Sequence, residues 1–272
     1  MKVKWKALGG LTIVLILGSW IGNILYFQQM QLKEPLFLKH HMIVNMNHGK
    51  TIYINFLENK NEGKKVTGIQ FVDFPQIRFQ IYPDQTYTHH MMMKAAADLQ
   101  WNDDELRGKL PVTINELFVY YNEGPPAMVP IGEIRIVEDK EADVVDFIAS
   151  SGSSDGSGSY TVRATQKVKL EKVDFGIKDQ SKSWLNLQLA NIPVNELKLP
   201  MNIEKGEAIT LQYHWSNQDA EHAADEIFQS KIQLHFRTLD GRTVVESVPI
   251  SQYLRLTNAQ VHHLVRTGGE LE

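Results

Sequence analysis

The sequence predicts a mainly β protein: one N-terminal transmembrane helix followed by antiparallel, β-sandwich-like extracytoplasmic domains. Three observations lead there. Residues 8–27 hold no charged side chain. Beyond them, apolar residues recur at every second position in run after run. Turn-forming Gly, Pro, Asn and Asp separate the runs, and Asp240-Gly241 is the sharpest hairpin signal.

At about 1.5 Å per residue, a helix over 8–27 is roughly 30 Å long, the thickness of a bilayer's hydrocarbon core. A cleaved signal peptide has a shorter apolar core ending in small residues. Here the apolar run continues past Gly18-Ser19 through Trp20, Ile21, Ile24, Leu25, Tyr26 and Phe27. No A-x-A-like site follows, and no cysteine is present to carry a lipid anchor. An uncleaved single-pass anchor is therefore the expectation. Lys2, Lys4 and Lys6 precede the span, which predicts a cytoplasmic tail over 1–7 and an extracytoplasmic bulk. Gly18 and Gly22 form a G-x-x-x-G pair, through which two helices approach closely. A homodimer through the span is one expectation from that pair, and simple anchoring is the other.

Residues 28–35 read as a short polar stalk ending at Pro35. Strand patterns follow over 36–46, 51–57, 66–72 and 76–82, with a turn at Asn47-His48-Gly49. The stretch 86–107 is ambiguous: His89 to Leu99 contains good helix formers that could also pair as a strand, and 101–106 reads as a turn or a short capped helix. Residues 113–121 and 128–137 are strand-like. Residues 138–143 form a charged segment of the kind that is usually solvated.

The tract 150–159, Ser-Ser-Gly-Ser-Ser-Asp-Gly-Ser-Gly-Ser, has nothing to bury and reads as a flexible linker. It sets a boundary between a first β domain over 36–149 and a second over 160–272. A long loop within one larger sandwich is the alternative. In the second half, Val168 and Leu170 alternate with Val173, Phe175 and Ile177 across a slip at Glu171-Lys172, which predicts a bulge. Further strands are expected over 184–190, 209–215, 232–236 and 243–248, with a short helix over 219–229.

Chain-wide there are 28 basic and 32 acidic residues. Without the three tail lysines the exported part is more acidic still, which argues against nucleic acid or an anionic lipid surface as partner. The absence of Cys and of an Asn-x-Ser/Thr sequon suits a bacterial surface protein outside a disulfide-forming envelope.

Chemistry is sparse. His40-His41, His89-His90 and His262-His263 are adjacent pairs, and neighbours on a strand point to opposite faces, so such pairs rarely chelate one ion. No metal or other cofactor is expected. His214 and His235 alternate with core residues and should face solvent. Asp103, Asp104 and Glu105 beside Trp101 could serve glycoside chemistry, although an acidic first helical turn explains them equally simply. Met91-Met92-Met93 reads as core filling rather than a copper site. No catalytic residues stand out. The expectation is a binding protein for an envelope polymer or a membrane protein, with a hydrolase assembled only in three dimensions as the alternative.

Overall fold

Three sheets carry the protein. The computed structural model describes residues 2–47, 51–99, 106–139, 142–176, 184–216, 226–252 and 254–268. Helix α1 (Lys2–Gln29) leads into β1 (Leu36–Phe37), β2 (Lys39–Asn45), β3 (Thr51–Asn59), β4 (Val66–Phe71), β5 (Phe79–Thr86), β6 (His90–Asp98), β7 (Val112–Tyr121) and β8 (Ala127–Val137). The second half supplies β9 (Val145–Gly152), β10 (Ser157–Ala164), β11 (Val168–Phe175), β12 (Leu185–Leu189), β13 (Ile192–Pro193), β14 (Met201–Ile203), β15 (Ala208–Trp215), β16 (Glu226–Thr238) and β17 (Thr243–Ser251). Helix α2 (Asn258–Thr267) closes the described chain.

Within the ambiguous stretch Leu106 and Arg107 are helical, while His90–Asp98 is strand: β6 pairs with both β3 and β5, placing Met92, Ala95 and Ala97 in the interior. Helix propensity yields here to burial and to two hydrogen-bonded neighbours. The bulge expected at Glu171-Lys172 is present, the register of β11 on β16 shifting between Leu170 and Lys172. Arg237 donates to the Glu171 carboxylate beside it. The turn at His48-Gly49, the acidic group Asp103, Asp104 and Glu105 with Trp101, and residues 219–225 of the expected short helix lie outside the described residues. Residues 226–229 belong to β16.

A first core lies between the four-stranded sheet β1-β3-β6-β5 and the strands β2, β8, β7 and β4, and includes Ile52, Ile54, Phe56, Leu117 and Ile134. A second lies between the five-stranded sheet β13-β12-β15-β10-β9 and the strands β14, β11, β16 and β17, and includes Leu170, Leu211, Phe236 and Val248. Each such side chain contributes about 1.5–3 kcal/mol by leaving water.

The halves share one eight-stranded sheet, because β2 lies between β8 and β16 and is parallel to both. Every other pairing described is antiparallel. Gly132 of β8 makes the close approach feasible: its φ is +87°, and a Cβ there would lie 2.5 Å from the His40 carbonyl oxygen. His40 is buried in the joint, and its Nε2 accepts the Asn55 backbone N–H at 3.0 Å, linking β2 to β3. That bond requires the neutral imidazole with its proton on Nδ1. Burial lowers the His40 pKa to about 4.

Three expectations need correction. The Ser/Gly tract 150–159 is a strand–turn–strand, with Ser150 to Gly152 in β9 and Ser157 to Ser159 in β10. Its turn is closed by Asp155, whose carboxylate accepts the Ser157 N–H at 2.9 Å and the Ser157 hydroxyl at 2.6 Å, bonds that hold its pKa down to about 2. The charged segment 138–143 is also more than a solvated surface. Asp139 Oδ2 lies 2.5 Å from Lys231 Nζ and accepts the Ser247 hydroxyl at 2.8 Å and the Asn45 amide at 3.4 Å, tying β2 of the first half to β16 and β17 of the second.

The stalk, finally, is docked on the body. Leu32 exchanges both backbone bonds with the Asn59 side-chain amide, at 2.9 and 2.8 Å, and the Met30 carbonyl lies 2.7 Å from His90 Nε2. Met30 is buried, and Leu32 and Leu36 pack on a small cluster in which Leu38, Leu57 and Met92 meet Val261 and Leu264 of α2. Thr257 starts α2 with a reciprocal capping box to Gln260, and Gly268 ends it in the left-handed conformation.

Candidate functional site

A cleft of about 580 Å³ is lined by residues of all three sheets. The four-stranded sheet gives it Tyr53, Asn55 and Lys94; β16 and β17 give Phe228 and Pro249; the β9–β10 hairpin and β15 give Ser150, Gly152 and Tyr213. Strand alternation explains this set. Ile52, Ile54 and Phe56 turn into the first core, so Thr51, Tyr53 and Asn55 turn the other way, into the cleft.

Most of the polar lining is neutral. The Ser151 and Ser159 hydroxyls are 2.8 Å apart across the hairpin. Lys94 is the one cationic side chain among the described lining residues, held 3.0 Å from the Asp84 carboxylate and 5.6 Å from the centre of the Tyr53 ring. No carboxylate is among those lining residues. Tyr213 crosses directly over Gly158, where a Cβ would come within 2.3 Å of its ring, so only glycine lets the tyrosine lie against the hairpin. At the floor, Phe228 stacks on Trp215 at 5.9 Å and on His41 at 5.2 Å, with Trp184 edge-on at 5.4 Å.

A second hollow of about 470 Å³ continues the cleft along β9 and shares Ser150, Tyr160 and Pro249 with it. Asp146, Phe147 and Glu246 line this extension. Phe147 stands 57% exposed beside Tyr160, its ring centre 5.1 Å away.

The histidine pairs separate as strand geometry requires where they lie on strands: His40 is buried, while His41 turns outward and lies 3.6 Å from Glu226. His89 and His262 instead meet at the foot of α1, within 6.0 and 6.1 Å of the Tyr26 ring. Burial lowers the pKa of neighbouring His90. His214 is exposed, and His235 is half-buried beside Asp174 at 3.0 Å. Among the described residues no three His, Asp or Glu side chains converge on a metal position. Gly18 and Gly22 stand on α1 with open space where a Cβ would be, far from the cleft in sequence.

None of the cleft residues is marked by a motif: Thr51, Tyr53 and Asn55 are ordinary strand residues on the face away from the first core, while Tyr160, Phe228 and Ile250 also belong to the second. One signal was available for the hairpin wall: Asp155-Gly156 is the same dipeptide as Asp240-Gly241, and Gly156 takes a φ of +84°.

No protein-family model matches the chain, and no curated protein matches it. Among solved structures, a protein of unknown function from Porphyromonas gingivalis W83 is similar at 10% identity over 80% of this chain and 96% of that one, with a TM-score of 0.26. That likeness is too distant to carry an argument about fold or function.

Proposed function

We propose that this chain is a single-pass membrane protein of a bacterial surface, with residues 1–7 in the cytoplasm and 8–27 in the bilayer, and that its extracytoplasmic body is a binding module whose ligand sits in the three-sheet cleft. The observation that carries this reading is the lining itself. Tyrosine rings, hydroxyls and amides around one paired ammonium suit non-covalent recognition of a largely neutral ligand. The helix Leu11–Gln29 is long and apolar enough to cross a membrane, and its exposed Leu, Ile and Trp side chains support a lipid environment.

Since the chain has no cysteine, two single-cysteine variants test the topology cleanly. Leu239→Cys should react with a membrane-impermeant maleimide on intact cells, and Lys4→Cys only after permeabilisation. Labelling in the reverse order ends the proposed orientation. A photocrosslinking side chain at Tyr53 tests the cleft: it should capture a ligand in native membranes that the same group at Leu239 does not. Replacing Gly18 and Gly22 with Ile should lower self-association in a bilayer reporter if the span dimerises, and an unchanged signal leaves the helix an anchor alone.

A further inference from the structure

Outer strands expose unpaired backbone groups, and proteins protect them by shortening the strand, inserting proline or covering the edge. Several sheet ends here follow that rule. β1 and β13 are two residues long and β14 three; β5 carries Pro83 and β17 carries Pro249. β9 does not. It is eight residues long, ends the five-stranded sheet with β10 as its one strand partner among the described residues, and contains neither proline nor a basic residue. From Asp146 to Gly152 every residue is exposed.

The direction of its free groups follows from the ladder. Ser153 donates its N–H to the Ser157 carbonyl at 2.8 Å, so the 153–157 pair is hydrogen-bonded. Alternation then turns the backbone of Ser151 and Ala149 toward β10, and that of Gly152 and Ser150 outward. Outward lies the continuous hollow between β9 and β17, and β17 cannot seal it, because Pro249 has no N–H. A bulge at Ile148, which faces no residue of β10, leaves Phe147 and Ile148 exposed side by side at the rim.

We propose that this groove receives one extended peptide segment of a partner protein as a strand added to β9. The inference rests on the binding reading above and names its ligand class. Outward N–H and C=O groups repeating every second residue match a peptide backbone and have no counterpart along a sugar chain. Ser150 and Gly152 are small enough to let the backbone come close, and Phe147 offers an apolar anchor. Asp146, exposed at that end, favours a segment with a basic residue there.

The probe is a blocked eight-residue peptide of alternating Thr and Val with one terminal Lys, added to the full chain in lipid nanodiscs. Bound peptide should slow amide exchange at Ser150 and Gly152 while leaving Ser151, already bonded to β10, unchanged. Ser150→Pro removes an outward N–H without touching the ladder to β10 and should weaken binding about tenfold. Phe147→Ala, at an exposed position that leaves folding intact, should weaken it several-fold. Unslowed exchange at Ser150 and Gly152, or full affinity in Phe147→Ala, overturns the proposal. Capture of a glycan at Tyr53 overturns the peptide class but leaves the binding module standing, whereas no capture at Tyr53 and no peptide binding removes both.

Discussion

Two places where strands of different origin come side by side, β2 with β16 and β9 with β17, are built in opposite ways. Along β2 and β16 the contact is closed: parallel pairing satisfies the backbone and Asp139 gathers Lys231, Ser247 and Asn45, while Gly132 of β8 and Asn55 of β3 hold β2 from its other sides. Between β9 and β17, both strands of the second half, two sheets face each other without pairing, across a polar hollow. Backbone groups buried without partners are strongly disfavoured. The closed joint therefore fixes how the halves sit, while the open one leaves groups available for something else. The lesson is that stability and recognition occupy neighbouring strands of one framework.

The largest effect is expected at Gly132. Gly132→Ala combines a left-handed backbone with a collision against the His40 backbone, and should cost about 3 kcal/mol or more, read as a large fall in the urea midpoint of the full chain in detergent. A midpoint near wild type would mean that the joint is loose.

Acid should act next. His40 has a folded pKa of about 4 against 6.5 when unfolded. The unfolded chain therefore takes up a proton that the folded chain refuses, and stability present above pH 6.5 is lost as pH falls toward 4, by about 3 kcal/mol in all. His90, lowered by its own burial, acts in the same direction, while Glu58, whose carboxyl burial raises, opposes it in the acid part of the window. Urea midpoints from pH 7 to 5 should fall in the wild type and flatten in His40→Gln, which keeps an acceptor for Asn55 without a titrating ring. Equal slopes would contradict a neutral His40.

Asp139→Ala leaves Lys231 without its carboxylate in a half-buried site, and a loss of about 2 kcal/mol is expected in the same assay. Tyr53→Ala sharpens the contrast from the open side. Its ring is 41% exposed on the cleft wall, so stability should change by less than about 0.5 kcal/mol while ligand capture is lost. A large destabilisation would make the cleft part of the structural joint.

The sequence by itself determined the elements that depend on neighbours along the chain. Period-two alternation located β3, β7, β15 and β17, the slip at Glu171-Lys172 marked the bulge in β11, and the uncharged run 8–27 marked α1. Composition misled where pairing mattered more than content: the Ser-rich residues of β9 and β10 bury little, and β10 is held as a strand by Gln212, Tyr213 and His214 of distant β15. Only the tertiary structure decided that β2 lies between β8 and β16, that Asp139 reaches Lys231, and that Tyr53, Ser150 and Pro249 line one cleft. Alternation within a strand states which face is buried, but it is the same for every partner that strand could take. The choice among partners rests on shape, such as the missing side chain at Gly132, which has no meaning until β2 lies against it.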